Sequence, residues 1–299
     1  MKKLLLIVAF ISLSKIKAQI DPLKYPTYTN IKDAVKSDKP VYSISFRDKG
    51  LFNIPKDIVK MNSLFFLNVM GNNLEKIDQE IFTLKELEIL NLNANSIKFI
   101  PNEICELKKL HTLSINLNSL TKINPNLAKL QNLKTVHFDA NNLNVFPEAL
   151  LEIPSLEEIN LSNNQISFVS LDLNKIKNLK YLNLSSNQIN DLAEVRFPKN
   201  IKYLELQQNA IVGLPEFLFK SENLEFLNVS NNNLKEISHK VKGLKNVVSI
   251  NLANNQLKDL PKEFNQLKNL KTLILAGNPM DQETIKKLKE LMPQTQIYF

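Results

Sequence analysis

The chain has few of the residues that build common catalytic and cofactor sites. Only five of its 299 residues are glycine, and no two of them lie close enough to make a phosphate-binding loop. Three histidines, one cysteine and no tryptophan are too few for zinc ribbons, disulfide scaffolds and Cys–His redox motifs. The composition, 43% hydrophobic and 23% charged, is that of a soluble folded protein. We therefore expect a folded chain without a cofactor or a metal.

The N-terminus has the pattern of a secretory signal peptide. Lys2 and Lys3 precede an apolar run over residues 4–13, and Ala18 is the candidate last residue before cleavage. A core helix is the alternative. We predict a signal peptide over residues 1–18 and export to the periplasm or the extracellular space. No later stretch is long and apolar enough to be predicted as a membrane span.

The net charge and the lone cysteine say little about partners. The formal charge of +8 falls to +4 once the four lysines of residues 1–18 are removed, so a nucleic-acid partner is poorly supported. Cys105 has no second cysteine to pair with in the chain. We expect it to be a buried thiol, with an intermolecular link as the alternative.

Apolar residues recur with a long, fixed period. The repeats start at Val41, Leu64, Leu87, Leu110, Leu133, Leu156, Leu179, Ile201, Leu224, Val247 and Leu270. Every step is 23 residues, except the 22-residue step from Leu179 to Ile201. Self-similarity at such a period predicts a solenoid.

Each repeat follows the pattern Leu-x-x-Leu-x-Leu-x-x-Asn-x-Leu-x-x-Leu/Ile, as in LEILNLNANSIKFIPNEICELKK from Leu87 to Lys109. In this pattern the chain resembles the leucine-rich repeat family, in its 23-residue, secreted bacterial form. The resemblance implies an α/β repeat solenoid. It would be a right-handed horseshoe with a concave parallel β-sheet and short helical or 3₁₀ turns on the convex side. It also implies protein recognition through the concave face, without catalysis.

The alternation of residues within each repeat predicts the same architecture. Positions 4 and 6 are apolar, as at Leu90 and Leu92, whereas the positions around them are mostly polar, which is typical of a half-buried strand. A single strand cannot close a core, so the repeats must stack. Position 9 is asparagine in ten of the eleven repeats, with Lys49 in the first. We expect these asparagines to satisfy backbone groups at the turn that leaves the strand.

We divide the chain into four segments: the signal peptide at 1–18, an N-terminal capping segment at 19–40, about eleven repeats at 41–278, and a C-terminal cap at 279–299. In the N-terminal cap, Asn30 is expected to cap a short helix with Ile31, Ala34 and Val35 facing inward. In the C-terminal cap, Asp281 is expected to cap a helix that runs to about Met292, followed by an edge strand. With both ends capped, we expect a monomer.

Catalytic, metal and nucleic-acid sites find little support. His111 and His137 lie in adjacent repeats but at different strand positions, too far apart to share one metal. We expect both to be solvated surface histidines. The strand-face positions 2, 3, 5, 7 and 8 hold five basic and seven acidic residues, which gives no phosphate-binding track.

The concave face carries one organised feature. Position 3 is Tyr181, Tyr203 and Phe226 in consecutive repeats, so these aromatic rings should lie side by side across three strands. Phe66, next to Phe65, makes a second aromatic spot near the N-terminal end. The predicted charged rim of the first cluster comprises Glu158, Lys202, Glu205 and Glu225. Aromatic residues on a rigid surface are frequent anchors of protein interfaces. A chance run of strand-forming residues is the alternative.

We therefore expect an exported, non-enzymatic module that binds a protein ligand. The main alternative is a carbohydrate or glycan binder that uses the same three rings as a stacking platform. A structural role in the cell envelope without a specific ligand is a further alternative.

Overall fold

The computed structural model describes residues 25–169 and 172–299, and the predicted signal peptide lies outside these ranges. The described chain forms one parallel sheet of thirteen strands whose order in the sheet is their order in the chain. The strands are Thr27–Tyr28 (β1), Ser43–Ser45 (β2), Phe66–Asn68 (β3), Ile89–Asn91 (β4), Thr112–Ser114 (β5), Thr135–His137 (β6), Glu158–Asn160 (β7), Tyr181–Asn183 (β8), Tyr203–Glu205 (β9), Phe226–Asn228 (β10), Ser249–Asn251 (β11), Thr272–Ile274 (β12) and Gln296–Tyr298 (β13). The predicted repeat solenoid with a parallel sheet is thus confirmed.

The segments that return from one strand to the next contain 3₁₀ helices, as expected for the convex side. Among the described residues these are Lys56–Lys60, Gln79–Thr83, Asn102–Glu106, Pro125–Lys129, Glu148–Glu152, Leu173–Lys175, Glu216–Lys220, His239–Gly243 and Lys262–Gln266. Proline at the residue before many of these segments, as at Pro101 and Pro147, holds the backbone extended just before the turn begins.

The core lies between the sheet and the return segments. Leu90 and Leu92 in one repeat, and Leu113 and Ile115 in the next, are fully buried, as the alternating pattern predicts. Neighbouring strands pair in register at the same repeat position, for example Leu67 with Leu90. Each repeat therefore buries its apolar residues against the repeats on either side, and the core is continuous along the solenoid.

The asparagine at position 9 links each repeat to the one before it. The Nδ2 of Asn164 donates to the carbonyl oxygens of Phe138 (3.1 Å) and Leu161 (3.0 Å), and its Oδ1 accepts from the Leu143 amide (3.0 Å). The same set of bonds recurs at Asn72, Asn95, Asn141, Asn187, Asn209, Asn232, Asn255 and Asn278. Asn118 makes the bonds to the preceding repeat and donates to Asn116 O within its own. We call this row the asparagine ladder. It satisfies backbone groups at the turn, as the sequence predicts.

The residue just before each ladder position has left-handed backbone geometry. Position 8 has a positive φ in every repeat, from Asp48 (55°) to Gly277 (77°). Most of these residues are not glycine, and Leu117 (53°) is the bulkiest of them. Left-handed geometry is costly for a residue with a branched or bulky side chain. Position 8 is therefore a strained position that the ladder around it holds in place.

A second row of asparagines lies at the last position of the repeats, near the start of the next strand. Its side-chain amides donate to backbone carbonyls of the preceding repeat, as Asn132 does to Lys108 (2.9 Å). Asn178, Asn200, Asn223 and Asn269 make the equivalent bond. This row was not predicted from the sequence, and it ties the repeats together on the other side of the core.

Both ends of the sheet carry a helix and an edge strand. The N-terminal helix, α1, spans Ile31–Val35, and Asn30 caps it by accepting from the Lys32 amide (2.8 Å). Ala34 is buried, but Val35 is 39% exposed, so the prediction that it faces inward is wrong. The helix is too short for both residues to point at the core.

At the other end, the helix α2 spans Gln282–Leu291, and Asp281 accepts a hydrogen bond from the Thr284 amide (2.8 Å). Leu288 and Met292 are buried against the last repeat. The strand β13 then pairs in parallel with β12, as the predicted edge strand would.

The outer surface of the return segments differs from expectation in two places. Cys105 is partly exposed, so the prediction of a buried thiol is wrong; its neighbour Ile104 is the residue that faces the core. Phe99 and Phe168 are both 56% exposed at position 13 of their repeats, on the flank beyond the asparagine ladder. Neither phenylalanine was predicted as a surface feature.

Candidate functional site on the concave face

The aromatic residues at position 3 form a row across three adjacent strands. Tyr181 on β8 is in register with Tyr203 on β9, which is in register with Phe226 on β10. All three side chains are half-buried on the concave face. The side-by-side arrangement predicted from the sequence is therefore confirmed, since adjacent strands lie about 4.8 Å apart.

The Tyr181 hydroxyl is held in a hydrogen-bonded group with Glu205. It donates to Glu205 Oε1 (3.1 Å) and accepts from Asn183 Nδ2 (3.3 Å). Burial and the nearby Glu205 carboxylate raise the pKa of Tyr181 far above its ordinary value. The second carboxylate oxygen of Glu205 accepts from Gln207 Nε2 (2.9 Å). This group fixes the plane of the ring and keeps the hydroxyl protonated.

The Tyr203 hydroxyl is held in the same way one strand further on. It donates to Glu225 Oε2 (3.3 Å), while Lys202 Nζ donates to Glu225 Oε1 (2.7 Å). Burial and the Glu225 carboxylate raise the pKa of Tyr203, and the hydrogen bond to Glu225 raises the pKa of Lys202. Of the predicted charged rim, Lys202 and Glu225 are thus paired with each other.

Glu158 lies in register with Tyr181 but binds a histidine on its other side. Its Oε1 lies 2.8 Å from His137 Nε2, and His137 Nδ1 lies 3.5 Å from Ser114 Oγ. The His137 side chain is only 15% exposed, so the prediction of a solvated surface histidine is wrong here. A residue at position 5 and an acid at position 3 of the next repeat are close neighbours, which is the signal that could have predicted this pair.

Asp139 extends this group toward the end of the strand. Its Oδ1 accepts from Asn160 Nδ2 (3.0 Å). Burial raises the pKa of Asp139, and the nearby His137 opposes that shift. The sequence placed Asp139 near His137, whereas the structure shows that it shares no hydrogen bond with that ring among the described contacts. By contrast, His111 lies apart from this group, with its Nδ1 3.6 Å from Glu88 Oε2.

Three polar atoms on the concave face are buried without a hydrogen-bond partner among the described residues. They are Asn116 Oδ1, Gln207 Oε1 and Ser249 Oγ. Ser114 and His137 are in register, so Asn116 and Asp139, each two residues further along, lie side by side. Gln207 donates to Glu205 through its Nε2. Two of the three, Asn116 Oδ1 and Gln207 Oε1, are amide oxygens, which only accept hydrogen bonds.

Phe66 is not part of this group. It lies on β3, five strands from Tyr181 and therefore about 24 Å away along the sheet. Its neighbour Phe65 contacts the rings of Tyr25 and Tyr42, with centroids 5.4 Å and 6.0 Å away. The predicted aromatic spot thus consists of one ring on the concave face and one in a separate cluster at the N-terminal end.

The lysines at position 2 line the margin of the concave face in ion pairs. Lys180 Nζ lies 2.6 Å from Glu157 Oε2, and Lys134 Nζ lies 3.9 Å from the other oxygen of the same carboxylate. These pairs join adjacent repeats, and their exposed side chains are only weakly stabilising. The basic residues at the strand-face positions are therefore largely paired with acidic side chains.

Over residues 25–169 and 172–299, no group of three or more histidine, cysteine, aspartate or glutamate side chains is arranged to hold a metal ion. Within the same ranges, no helix has the length and apolar character needed to cross a membrane.

Comparisons with known proteins agree with the repeat pattern. Family models described as leucine-rich repeats match residues 62–115, 108–166, 154–196 and 223–244. A solved leucine-rich repeat protein of Leptospira interrogans is 34% identical and superimposes with a TM-score of 0.80, covering 87% of this chain and 66% of that one. The chain belongs to the leucine-rich repeat family.

More distant solved structures share the fold. An internalin from Listeria monocytogenes is 21% identical, with a TM-score of 0.72, and the match covers 86% of this chain and 72% of that chain. A match to an octameric complex of Latrophilin 3, Unc5D and the leucine-rich repeat protein FLRT2 has 21% identity, a TM-score of 0.74 and coverage of 86% and 83%. No curated protein sequence matches the chain.

Proposed function

We propose that this protein is an exported interaction module that binds a protein partner through its concave face, with Tyr181, Tyr203 and Phe226 as the central anchors. The register of these three rings on β8, β9 and β10 carries the proposal. Rigid, half-buried aromatic side chains lose little conformational entropy when a partner covers them, and such residues dominate protein interfaces. The FLRT2 structure, which is a complex with two other proteins, gives the fold a precedent for protein recognition.

The proposal also assigns export. Residues 1–18 have the signal-peptide pattern, and the Leptospira and Listeria neighbours are bacterial proteins. Cell fractionation followed by N-terminal sequencing tests this assignment. We expect the protein outside the cytoplasm, with Gln19 as its first residue; an intact Met1 on cytoplasmic protein would contradict it.

The proposed module has no catalytic role, although Ser114, His137 and Glu158 form a row that resembles a nucleophile, a base and an acid. Ser114 is only 7% exposed, and its Oγ is 3.5 Å from the histidine. The adjacent amides of Ile115 and Asn116 already donate to His137 O and Asn93 Oδ1, so they are not available to stabilise an oxyanion. We expect no hydrolysis of ester substrates; turnover that Ser114→Ala abolishes would overturn this assignment.

Partner capture tests the binding face. Purified protein immobilised on beads is incubated with cell-envelope extract, and bound proteins are identified by mass spectrometry. We expect Tyr203→Ala/Phe226→Ala to lose the captured protein. The matched control Phe99→Ala/Phe168→Ala, which truncates two exposed rings on the flank, should retain it. The reverse result would assign binding to the flank instead.

A glycan is the second candidate ligand, because the tyrosine rings are bordered by the planar polar groups of Asn183, Glu205 and Gln207. Rings bordered by such groups can stack on a sugar while the polar groups bind its hydroxyls. A glycan array separates the two candidates: saturable glycan binding that Tyr203→Ala/Phe226→Ala abolishes, with no protein captured, would favour the glycan.

A further inference from the structure

The concave face is acidic although the whole chain is basic. From β5 to β12, positions 3, 5 and 7 hold three carboxylates, Asp139, Glu158 and Glu205, and no lysine or arginine. The formal charge is +8 for the chain and +4 without residues 1–18. These concave-face positions are therefore acidic within a chain that is basic as a whole.

Among the described residues, none of these three carboxylates pairs with a lysine or an arginine, and Glu158 pairs with His137. The marginal lysines are used in other pairs, since Lys180 binds Glu157 and Lys202 binds Glu225. Asp139 and Glu205 accept hydrogen bonds only from neutral amide and hydroxyl groups among the described residues, and Glu158 binds His137. A partner with positive charge would therefore find unmatched negative charge on this face.

The carboxylates also border an aromatic ring. Glu158 is in register with Tyr181, and Glu205 accepts a hydrogen bond from the Tyr181 hydroxyl. A ligand that pairs with these carboxylates can therefore also cover the ring of Tyr181. An arginine guanidinium has five N–H donors, no acceptor and a planar face that stacks on aromatic rings.

From these observations, and resting on the proposed function, we infer that the partner docks as an extended peptide segment whose arginine side chains bind at Asp139 and at Glu205. Asp139 and Glu205 are three strands apart, about 14 Å across the sheet, and Asp139 lies two residues further along its repeat, so the two are about 16 Å apart. In an extended segment, side chains on one face that are four residues apart are separated by about 13.6 Å, and the long arginine side chains span the remainder. The segment would cross the strands, with the ring of Tyr181 and the Glu158 carboxylate between its two arginines.

Fluorescence anisotropy with synthetic peptides tests this inference. The probe is a fluorescein-labelled, serine- and glycine-rich peptide with two arginines four residues apart. The comparison peptides replace both arginines with citrulline, replace both with glutamate, or place the arginines three residues apart. We expect saturable binding of the probe, at least about tenfold weaker binding of each comparison peptide, and weakening of the probe by added salt.

Variants of the protein locate the binding. We expect Asp139→Asn/Glu205→Gln to weaken the probe at least about tenfold, because each substitution removes a charge at nearly constant shape. The control is Glu75→Gln, which removes an exposed carboxylate that pairs with Lys98 away from the concave face. It should leave binding unchanged. Thermal melting confirms that the variants are folded, and the salt and citrulline measurements on the unmodified protein test the inference without any variant.

The outcomes separate this inference from the proposed function. Equal binding of the arginine and glutamate peptides, or binding that Asp139→Asn/Glu205→Gln does not change, would overturn the inference. If the arginine probe fails while Tyr203→Ala/Phe226→Ala still abolishes protein capture, the inference falls and the proposed function stands. If the probe binds as expected but no concave variant affects protein capture, the arginine site stands and the proposed function falls.

Discussion

The side chains on the concave face differ between strands β2–β5 and strands β6–β10, although the same frame of buried leucines and ladder asparagines lies beneath both regions. Among the outward residues of β2 and β5 are Ser43, Ser45, Thr112 and Ser114, which are small and mostly buried. β3 adds the single ring of Phe66, whereas the later strands present three adjacent rings, carboxylates and a histidine. The buried leucines and the asparagine ladder are the same in both regions. The same frame thus accommodates different side chains on this face, and the proposed binding site lies in the second region.

The largest expected effect comes from a substitution in the frame that both regions share. Asn164→Ala removes hydrogen bonds to Phe138, Leu161 and Leu143 in the interior. We expect it to lower the free energy of unfolding by about 3 kcal/mol, because each buried group left without a partner costs about 1–3 kcal/mol. Urea denaturation monitored by circular dichroism measures the loss.

Asn160→Ala is the matched control, since Asn160 lies on the concave face and bonds to Asp139 and to the Ser162 amide. We expect a loss of about 1 kcal/mol or less there. Equal losses for the two variants would mean that the frame and the concave face are not energetically distinct.

The next effect sharpens the contrast between the two regions. Tyr203→Ala/Phe226→Ala should weaken binding of a captured partner by at least about tenfold, because truncation of a central aromatic anchor costs about 2 kcal/mol or more. Phe66→Ala, on the N-terminal strand β3, should change binding by less than about twofold. Isothermal titration calorimetry with the captured partner compares them, and a larger loss for Phe66→Ala would move the interface to the N-terminal region.

Much of the fold follows from the sequence, because the same pattern of buried and exposed positions recurs in eleven repeats. The strands, the asparagine ladder, the Asn30 and Asp281 caps and the neighbouring positions of the three rings were all predicted. Side-chain partners on the open face were not. The pairing of His137 with Glu158, and the carboxylate acceptors of both tyrosine hydroxyls, depend on side-chain rotamers that no repeat pattern specifies.

The position-8 geometry was also missed, although it has a visible signal. Gly71, Gly277, Asn163, Asn231 and Asn254 all occur there, and glycine and asparagine are the residues that tolerate a positive φ. The alanines and the leucine at the same position obscure that signal. Tertiary context thus overrides local preference at this turn.

A smaller effect depends on pH. Burial raises the pKa of Asp139 above its unfolded value, so the ionised carboxylate destabilises the folded state at neutral pH. Asp139→Asn should therefore stabilise the protein at pH 7. The difference should shrink as the pH falls through the folded pKa of Asp139 and vanish below its unfolded value. Melting curves across this range measure it; a variant that is less stable at pH 7 would contradict the assignment.

The smallest effect concerns the strained turn. Leu117 has a φ of 53° and is 58% exposed, so Leu117→Gly relieves strain while exposing little new apolar surface. We expect a gain of about 0.5–1 kcal/mol in the free energy of unfolding. Gly71→Ala is the opposite test, because Gly71 has a φ of 72°, where a Cβ is strained, and the Asp48 side chain would also have to move aside. Urea denaturation should show a gain for the first and a loss for the second.

The direction of the asparagine ladder has a consequence for how the protein forms during synthesis. Each ladder asparagine bonds back to the preceding repeat, as Asn95 does to Val69 O and the Leu74 amide. A repeat that has just left the ribosome therefore lacks the side chain that completes its own turn until the next 23 residues have emerged. Folding on the ribosome should therefore lag behind translation by one repeat. The last repeat has no following repeat in the solenoid, and the C-terminal helix and β13 cover it instead.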